Sequence, residues 1–137
     1  MSFQSLFKRD YEKGKANELK LLPKLRQLFK DDNIKIADEQ HSIFDYESNN
    51  KRIELKTRFN TKDKYPTTMI PYNKIVDAEN YEGDYYFVFS FTDKNCYIKY
   101  RKSKFDKFDK SLGGRTDRNK QEIKDYVYIP IDKLVNF

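Results

Sequence analysis

The chain has 137 residues, a formal net charge of +6, and charged side chains at 36% of positions against 37% hydrophobic. This length suits one domain, and the absence of any apolar run near about 18 residues excludes a membrane-spanning helix. A single cysteine, Cys96, and a single histidine, His41, exclude disulfide frameworks and metal sites built on several Cys or His ligands, and both glycine-rich nucleotide-binding fingerprints are missing.

The charge alternates along the chain. Residues 8–30, 51–64 and 94–124 carry +5, +4 and +7, whereas residues 31–50 and 77–93 each carry −5. The basic stretches fit a polyanion such as nucleic acid, because bound phosphates release counterions, although a lysine-rich solvated surface has the same composition. The N-terminus lacks the apolar segment of a secretory signal, so we expect an intracellular protein, cytoplasmic or nuclear, with no membrane partner.

The first half of the chain predicts a helix and a hairpin. Over residues 11–30, leucines at helical spacing form an apolar arc centred on Glu18, and Pro23 is expected to kink this helix or begin another. Residues 42–47 and 52–59 predict two strands joined by the turn 48–51. In the second strand Ile53 and Leu55 share one face, and the charged residues share the other.

The second half predicts a sheet with helices packed on it. After a polar stretch to residue 68 we expect a helix over 71–80, a central strand over 85–91 buried on both faces, and a strand over 96–100. A helical turn over 104–110, a flexible basic loop over 111–120, a strand over 126–129 and a turn capped by Asp132 complete the chain. The fold class is therefore α/β: a single domain, residues 1–137, with a central mixed β-sheet flanked by α-helices.

Two carboxylates and an amine lie on the hairpin. Asp45 belongs to the first strand, and Glu54-Leu55-Lys56 to the second, where alternation places Glu54 and Lys56 on one face. If Asp45 lies across from Glu54, the two carboxylates and the Leu55 carbonyl can share a hard cation such as Mg²⁺. Such a cation activates water and neutralises charge on a phosphate, and the ammonium of Lys56 can position water or stabilise that charge.

The tripeptide alone carries little information. Chance predicts about three acid-x-Lys matches in a chain of this composition, and three occur, at residues 18–20, 54–56 and 122–124. The second differs in its context, because it lies on a strand nine residues after another acid, with a turn between them. An exposed hairpin face with an ordinary Glu–Lys pair remains the alternative.

Glu18 is a third candidate carboxylate. An acid in the middle of an apolar arc is unfavourable to bury unless it is paired or binds a metal. It either faces the pocket of the other two acids or reaches solvent at the edge of the helix.

Together these residues resemble the PD-(D/E)xK nuclease superfamily, which has the restriction-endonuclease-like fold. The resemblance covers Gly14-x-x-x-Glu18 in a helix, Asp45 in a strand, Ile53-Glu54-Leu55-Lys56 in the next, and then a helix and a buried strand. It is closest to small Holliday-junction resolvases and phage or viral endonucleases, which also place a helical Glu before the Asp. Phe44 stands where the motif has its proline.

The resemblance implies an αβββαβ-type core and a DNA endonuclease dependent on Mg²⁺, with Mn²⁺ as a substitute. Asp45, Glu54, Glu18 and the Leu55 carbonyl would bind the metal, and Lys56 would assist hydrolysis. By analogy, an enzyme of this size that cuts both strands is expected to form a homodimer.

Further basic residues are candidates for binding nucleic acid, with a solvated surface role as the alternative in each case: Arg58, Lys51, Arg52, Lys74, Arg115 and Arg118. Most of the 22 Phe and Tyr residues are expected in the core rather than stacked on bases. The remaining hypotheses are a non-catalytic DNA-binding module on the same fold, an RNA endonuclease, and a protein-interaction domain with a basic surface.

Overall fold

The structure, a computed structural model, describes residues 3–38, 42–113 and 124–137. His41, Arg115 and Arg118 lie outside the described residues, as does most of the predicted basic loop. The helices are α1 (Phe3–Phe29), α2 (Tyr72–Asn80) and α3 (Lys102–Phe105), with a 3₁₀ turn at Ile131–Lys133. The strands are β1 (Lys35–Ile36), β2 (Tyr46–Glu47), β3 (Lys51–Thr57), β4 (Thr67–Pro71), β5 (Asp84–Ser90), β6 (Asn95–Lys99), β7 (Asp109–Gly113), β8 (Lys124–Pro130) and β9 (Val135–Asn136).

A mixed six-stranded sheet has the strand order β1-β2-β3-β5-β6-β9. Strands β3 and β5 are parallel and the other neighbours are antiparallel. Parallel neighbours need a crossover connection, which here contains β4 and α2. The expected α/β fold with a central mixed sheet and an αβββαβ core is therefore confirmed.

Strand β5 is the centre of the sheet, and its side chains alternate between two hydrophobic clusters. Tyr85 and Phe87 belong to the cluster that includes residues of α2, whereas Tyr86 and Val88 belong to the cluster that includes residues of α1. All of residues 85–91 are buried, so burial on both faces is confirmed.

Helix α1 packs the predicted apolar arc against the sheet. Leu21 and Leu25 are fully buried in the cluster that also contains Ile53. The helix runs unbroken through Pro23, so no second helix begins at the proline, which was one of the two expectations. Burial of leucines on both sides of the proline offsets the hydrogen bond that the proline cannot donate. In the described part of the chain, no helix is both long and apolar enough to cross a bilayer.

Several element boundaries differ from the expectation. Strand β2 is limited to residues 46–47, and residues 43–45 form a bend, so Asp45 lies just before the strand rather than within it. The sequence predicts no strand at β4, where a polar stretch and then a helix are expected, or at β7, where a helical turn and a loop are expected. Both segments instead pair with β8 in a second, three-stranded sheet. These pairings join segments that are far apart in sequence, so local periodicity does not reveal them.

Candidate active site

Asp45 lies against β3, at the residue that precedes β2. Tyr46 pairs with Ile53, and the Asp45 N–H donates to the Ile53 carbonyl at 2.9 Å. The Leu55 N–H donates to Oδ2 of Asp45 at 2.7 Å. The N–H and C=O of one strand residue point to the same edge, so the Leu55 carbonyl faces the edge on which Asp45 lies. The hydrogen bond thus fixes the Asp45 carboxylate beside the backbone of Leu55.

Glu54 is buried under two lysines. Its residue exposure is 4%, and its Oε1 lies 3.5 Å from Nζ of Lys56 and its Oε2 3.4 Å from Nζ of Lys74. The second contact is an ion pair without hydrogen-bond geometry, so Oε2 has no hydrogen-bond partner among the described residues. Burial and the Asp45 carboxylate raise the pKa of Glu54 to about 7, against the lowering effect of both lysines.

Glu18 faces the sheet and not the solvent, with an exposure of 8%. Burial raises its pKa to about 7, helped by the charge of Asp45 and a hydrogen bond between the two side chains, whereas Lys15 at 3.4 Å acts in the opposite direction. The hydroxyl of Tyr46 donates to the Glu18 carbonyl at 2.6 Å and so fixes this turn of α1 against β2. The charge of Asp45 therefore adds to burial in disfavouring the charged form of both glutamates.

A cleft of about 320 Å³ opens between α1 and the end of β3. Its lining combines acids, lysines and aromatic rings: Asp10, Tyr11, Gly14, Lys15, Glu18, Asp45, Leu55, Lys56, Thr57 and Phe59. We call it the acidic cleft. The carboxylate of Glu54 is too deeply buried to line it. Within residues 3–38, 42–113 and 124–137, no three His, Cys, Asp or Glu side chains meet closely enough to hold a metal ion.

The donor set nevertheless fits a hard divalent cation. Burial, the charge of Asp45 and the hydrogen bond between the two side chains favour a proton on Glu18, and a cation could replace that proton. Oε2 of Glu54 is buried without a hydrogen bond, and the Leu55 carbonyl adds a neutral oxygen. Carboxylate and carbonyl oxygens are the ligands that Mg²⁺ accepts. Asp45, Glu54, Glu18 and Leu55 therefore offer ligand types that suit such a cation, although the three acids do not converge on one point among the described residues.

Lys74 has a role at the site that the sequence did not indicate. Its position at the start of α2 suggested a phosphate contact, but in the structure it pairs with Glu54 and donates a hydrogen bond to the Ile43 carbonyl. It therefore links the acid of β3 to the bend that carries Asp45. A lysine 20 positions after Glu54 has no local spacing signal, so only the tertiary fold shows this contact.

The other basic candidates in the described residues have intramolecular partners. Lys51 pairs with Asp31 at 3.1 Å, and Arg52 pairs with Asp77 at 3.3 Å. The Arg52 guanidinium also lies 4.4 Å and 4.2 Å from the ring centroids of Phe44 and Tyr81. These partners orient the two side chains within the fold, and their binding to nucleic acid stays a prediction.

Arg58 is also held within the fold. It donates hydrogen bonds to the Thr68 hydroxyl and the Met69 carbonyl, and it lies over the ring of Phe89. Burial lowers the pKa of its guanidinium. The arginine thus joins β3 to the second sheet, next to a second cleft of about 420 Å³ that shares Thr57 with the acidic cleft.

A comparison with protein-family models matches residues 28–136 to the family described as "phage putative PDDEXK endonuclease". Asp45, Glu54 and Lys56 lie inside the matched residues, whereas Glu18 precedes them. Searches of the curated proteins and of the solved structures return no match. Because the family model covers most of the chain, the chain belongs to the phage PDDEXK endonuclease family of the PD-(D/E)xK nuclease superfamily.

Proposed function

We propose that this protein is a Mg²⁺- or Mn²⁺-dependent endonuclease that hydrolyses DNA phosphodiester bonds at the acidic cleft. The observation that carries the proposal is the arrangement around β3. Asp45 is bonded to the Leu55 N–H, Lys56 is paired with Glu54, and Glu18 is in contact with Asp45. The family membership supports nuclease activity, and the donor set supports a divalent cation.

Each residue of the site has a distinct part in this proposal. Asp45, Glu54, Glu18 and the Leu55 carbonyl would hold the cation, which when bound lowers the pKa of water and offsets negative charge on a phosphate. Lys56 lines the cleft with 27% of its side chain exposed, so its ammonium can reach a phosphate oxygen while Glu54 restrains it. There it would stabilise the charge that grows on the phosphate. Lys74 is a positioning residue that restrains Glu54 and the Asp45 bend.

The basic surface beside the cleft supports a polyanionic substrate. Lys13, Lys20 and Arg58 line the second cleft, which continues from the acidic cleft at Thr57. A DNA strand whose scissile phosphate lies at Lys56 would thus have positive charge along its path. DNA affinity should fall by orders of magnitude between about 50 and 200 mM salt if several phosphates are bound.

A homodimer, in which each copy cuts one strand, is the last part of the proposal. Sedimentation equilibrium, which measures the mass of the assembly in solution, tests it.

The test is a cleavage assay on linear, nicked, branched and single-stranded DNA with Mg²⁺, Mn²⁺ or EDTA. Wild type is compared with Glu54→Gln and Lys56→Met, and with the matched control variants Glu47→Gln and Lys35→Met. The control pair also forms an ion pair on this sheet, at 3.7 Å, but lies outside the acidic cleft. We expect cleavage that needs the metal and is lost in the first two variants only.

Other results would point to the alternatives. Undiminished cleavage in Glu54→Gln and Lys56→Met would refute the site. DNA binding without cleavage of any substrate, and without metal binding, would indicate a non-catalytic module. Cleavage only where the substrate carries a 2′-hydroxyl would identify an RNA endonuclease. A DNA affinity that is insensitive to salt would indicate a surface that does not bind phosphates.

A further inference from the structure

Two exposed aromatic rings line the acidic cleft. Most Phe and Tyr side chains of the described residues are buried or partly buried, as the sequence predicts, but Tyr11, Phe59 and Tyr65 are 55%, 52% and 54% exposed. Tyr11 lies on α1 and Phe59 just after β3, and both line the cleft that contains Asp45. Two rings exposed in the same cleft are accessible to a ligand, and aromatic side chains are enriched in ligand-binding pockets.

Each of these rings also lies beside a cation. Nζ of Lys13 is 4.8 Å from the ring centroid of Phe59, and Nζ of Lys15 is 5.5 Å from that of Tyr11. Aromatic faces next to positive charge are the combination with which proteins bind single-stranded nucleic acid: bases stack on the rings and phosphates are drawn to the cations. Within a paired duplex the base faces are covered by their neighbours, so only an unpaired base has a face available.

We propose that Tyr11 and Phe59 form a stacking site for unpaired nucleobases next to the scissile phosphate, and that the enzyme prefers single-stranded or locally unpaired DNA. The proposal rests on the proposed function, which places the phosphate at Lys56. Both rings share the cleft with Lys56, so a nucleotide bound there can present its base to a ring and its phosphate to the ammonium. Paired DNA of the same sequence would lack the stacking contribution.

The test measures stacking without cleavage. Oligonucleotides carrying 2-aminopurine, as a single strand, in a mismatch and in a perfect duplex, are titrated with protein in EDTA and in Ca²⁺. Wild type is compared with Tyr11→Leu and Phe59→Leu, which keep an apolar side chain but lose the ring. Tyr65→Leu is the matched control, because Tyr65 is equally exposed and lies 5.5 Å from Nζ of Lys64, but does not line the acidic cleft. Tyr11→Phe keeps the ring and should behave as wild type.

We expect wild type to quench 2-aminopurine at unpaired positions. The two leucine variants should bind the single strand and the mismatch about 5- to 150-fold more weakly, the range of one lost base–aromatic stack. Duplex affinity and the Tyr65→Leu variant should be unchanged. Three results would overturn the stacking site. The leucine variants could lose affinity equally for paired and unpaired DNA, they could lose none, or Tyr65→Leu could lose as much as they do.

The two proposals fail separately. If cleavage depends on metal but the leucine variants quench 2-aminopurine as wild type does, the nuclease function is supported and the stacking site is refuted. Ring-dependent quenching without cleavage of any DNA would support the stacking site and refute the catalytic function.

Discussion

Neutralising Glu54 should stabilise the metal-free protein at alkaline pH. Glu54 is 4% exposed, and burial together with the charge of Asp45 raises its pKa from 4.5 to about 7. Well below pH 4.5 the carboxyl group is protonated in both the folded and the unfolded chain, so no ionised group is buried and folding carries no penalty for one. As the pH rises to 7 and beyond, the unfolded chain releases the proton first, so folding stability falls. At 1.36 kcal/mol per pKa unit, the full penalty above pH 7 is about 3 kcal/mol.

The Glu54→Gln variant removes this ionisation. We expect its free energy of unfolding, measured by urea denaturation in EDTA, to exceed that of wild type by about 3 kcal/mol at pH 8 but by less than about 1 kcal/mol at pH 5. Adding Ca²⁺ at pH 8 should stabilise wild type and not the variant, because a bound cation replaces the proton. Glu47→Gln, at the partly exposed pair with Lys35, is the control and should show neither effect. A Glu54→Gln variant that is no more stable than wild type at pH 8 would show that ionised Glu54 does not destabilise the fold.

Three further predictions concern side chains whose contacts hold the site or the surrounding fold in position. Lys74→Met should lower the cleavage rate, and it should lower the free energy of unfolding by about 1–3 kcal/mol, because Glu54 loses a charged partner. Lys74→Arg should recover part of both quantities, measured by cleavage assay and urea denaturation. Tyr46→Phe removes the hydroxyl that donates to the Glu18 carbonyl and should destabilise the fold by about 1–2 kcal/mol in urea denaturation; no change would show that this bond does not fix the helix. Arg52→Met should destabilise the fold by about 1–2 kcal/mol through its lost ring contacts, and it should make the slope of log Kd against log salt for DNA shallower; an unaltered slope would show that this arginine does not bind a phosphate.

The features visible in the sequence were those with a strong local pattern. The alternation of β3 placed Ile53 and Leu55 in the core and paired Glu54 with Lys56, and both are found in the structure. The helical arc around Glu18 left two orientations of this acid open, toward the other acids or toward solvent, and its exposure of 8% shows that it faces inward. In each case a period of 2 or 3.6 residues decides which side chains share a face.

Features that depend on distant parts of the chain were missed. Strands β4 and β7 acquire their conformation by pairing with β8, more than 10 positions away, and a strand's preference depends on such partners. Lys74 approaches Glu54 only because the crossover brings α2 against the sheet. The second helix that was one expectation at Pro23 does not form, because packing of Leu21 and Leu25 outweighs one missing hydrogen bond.

The most direct test of a divalent-cation nuclease site at Asp45 is the DNA cleavage rate as a function of Mn²⁺ concentration, measured for wild type and Asp45→Asn. Asp45 is the acid that contacts the Leu55 N–H and raises the pKa of both glutamates. We predict no cleavage in EDTA, a saturable rise with Mn²⁺ for wild type, and for the variant a rate that is lost or needs far more metal. Cleavage in EDTA, or identical metal curves for the two proteins, would contradict a divalent-cation nuclease site at Asp45.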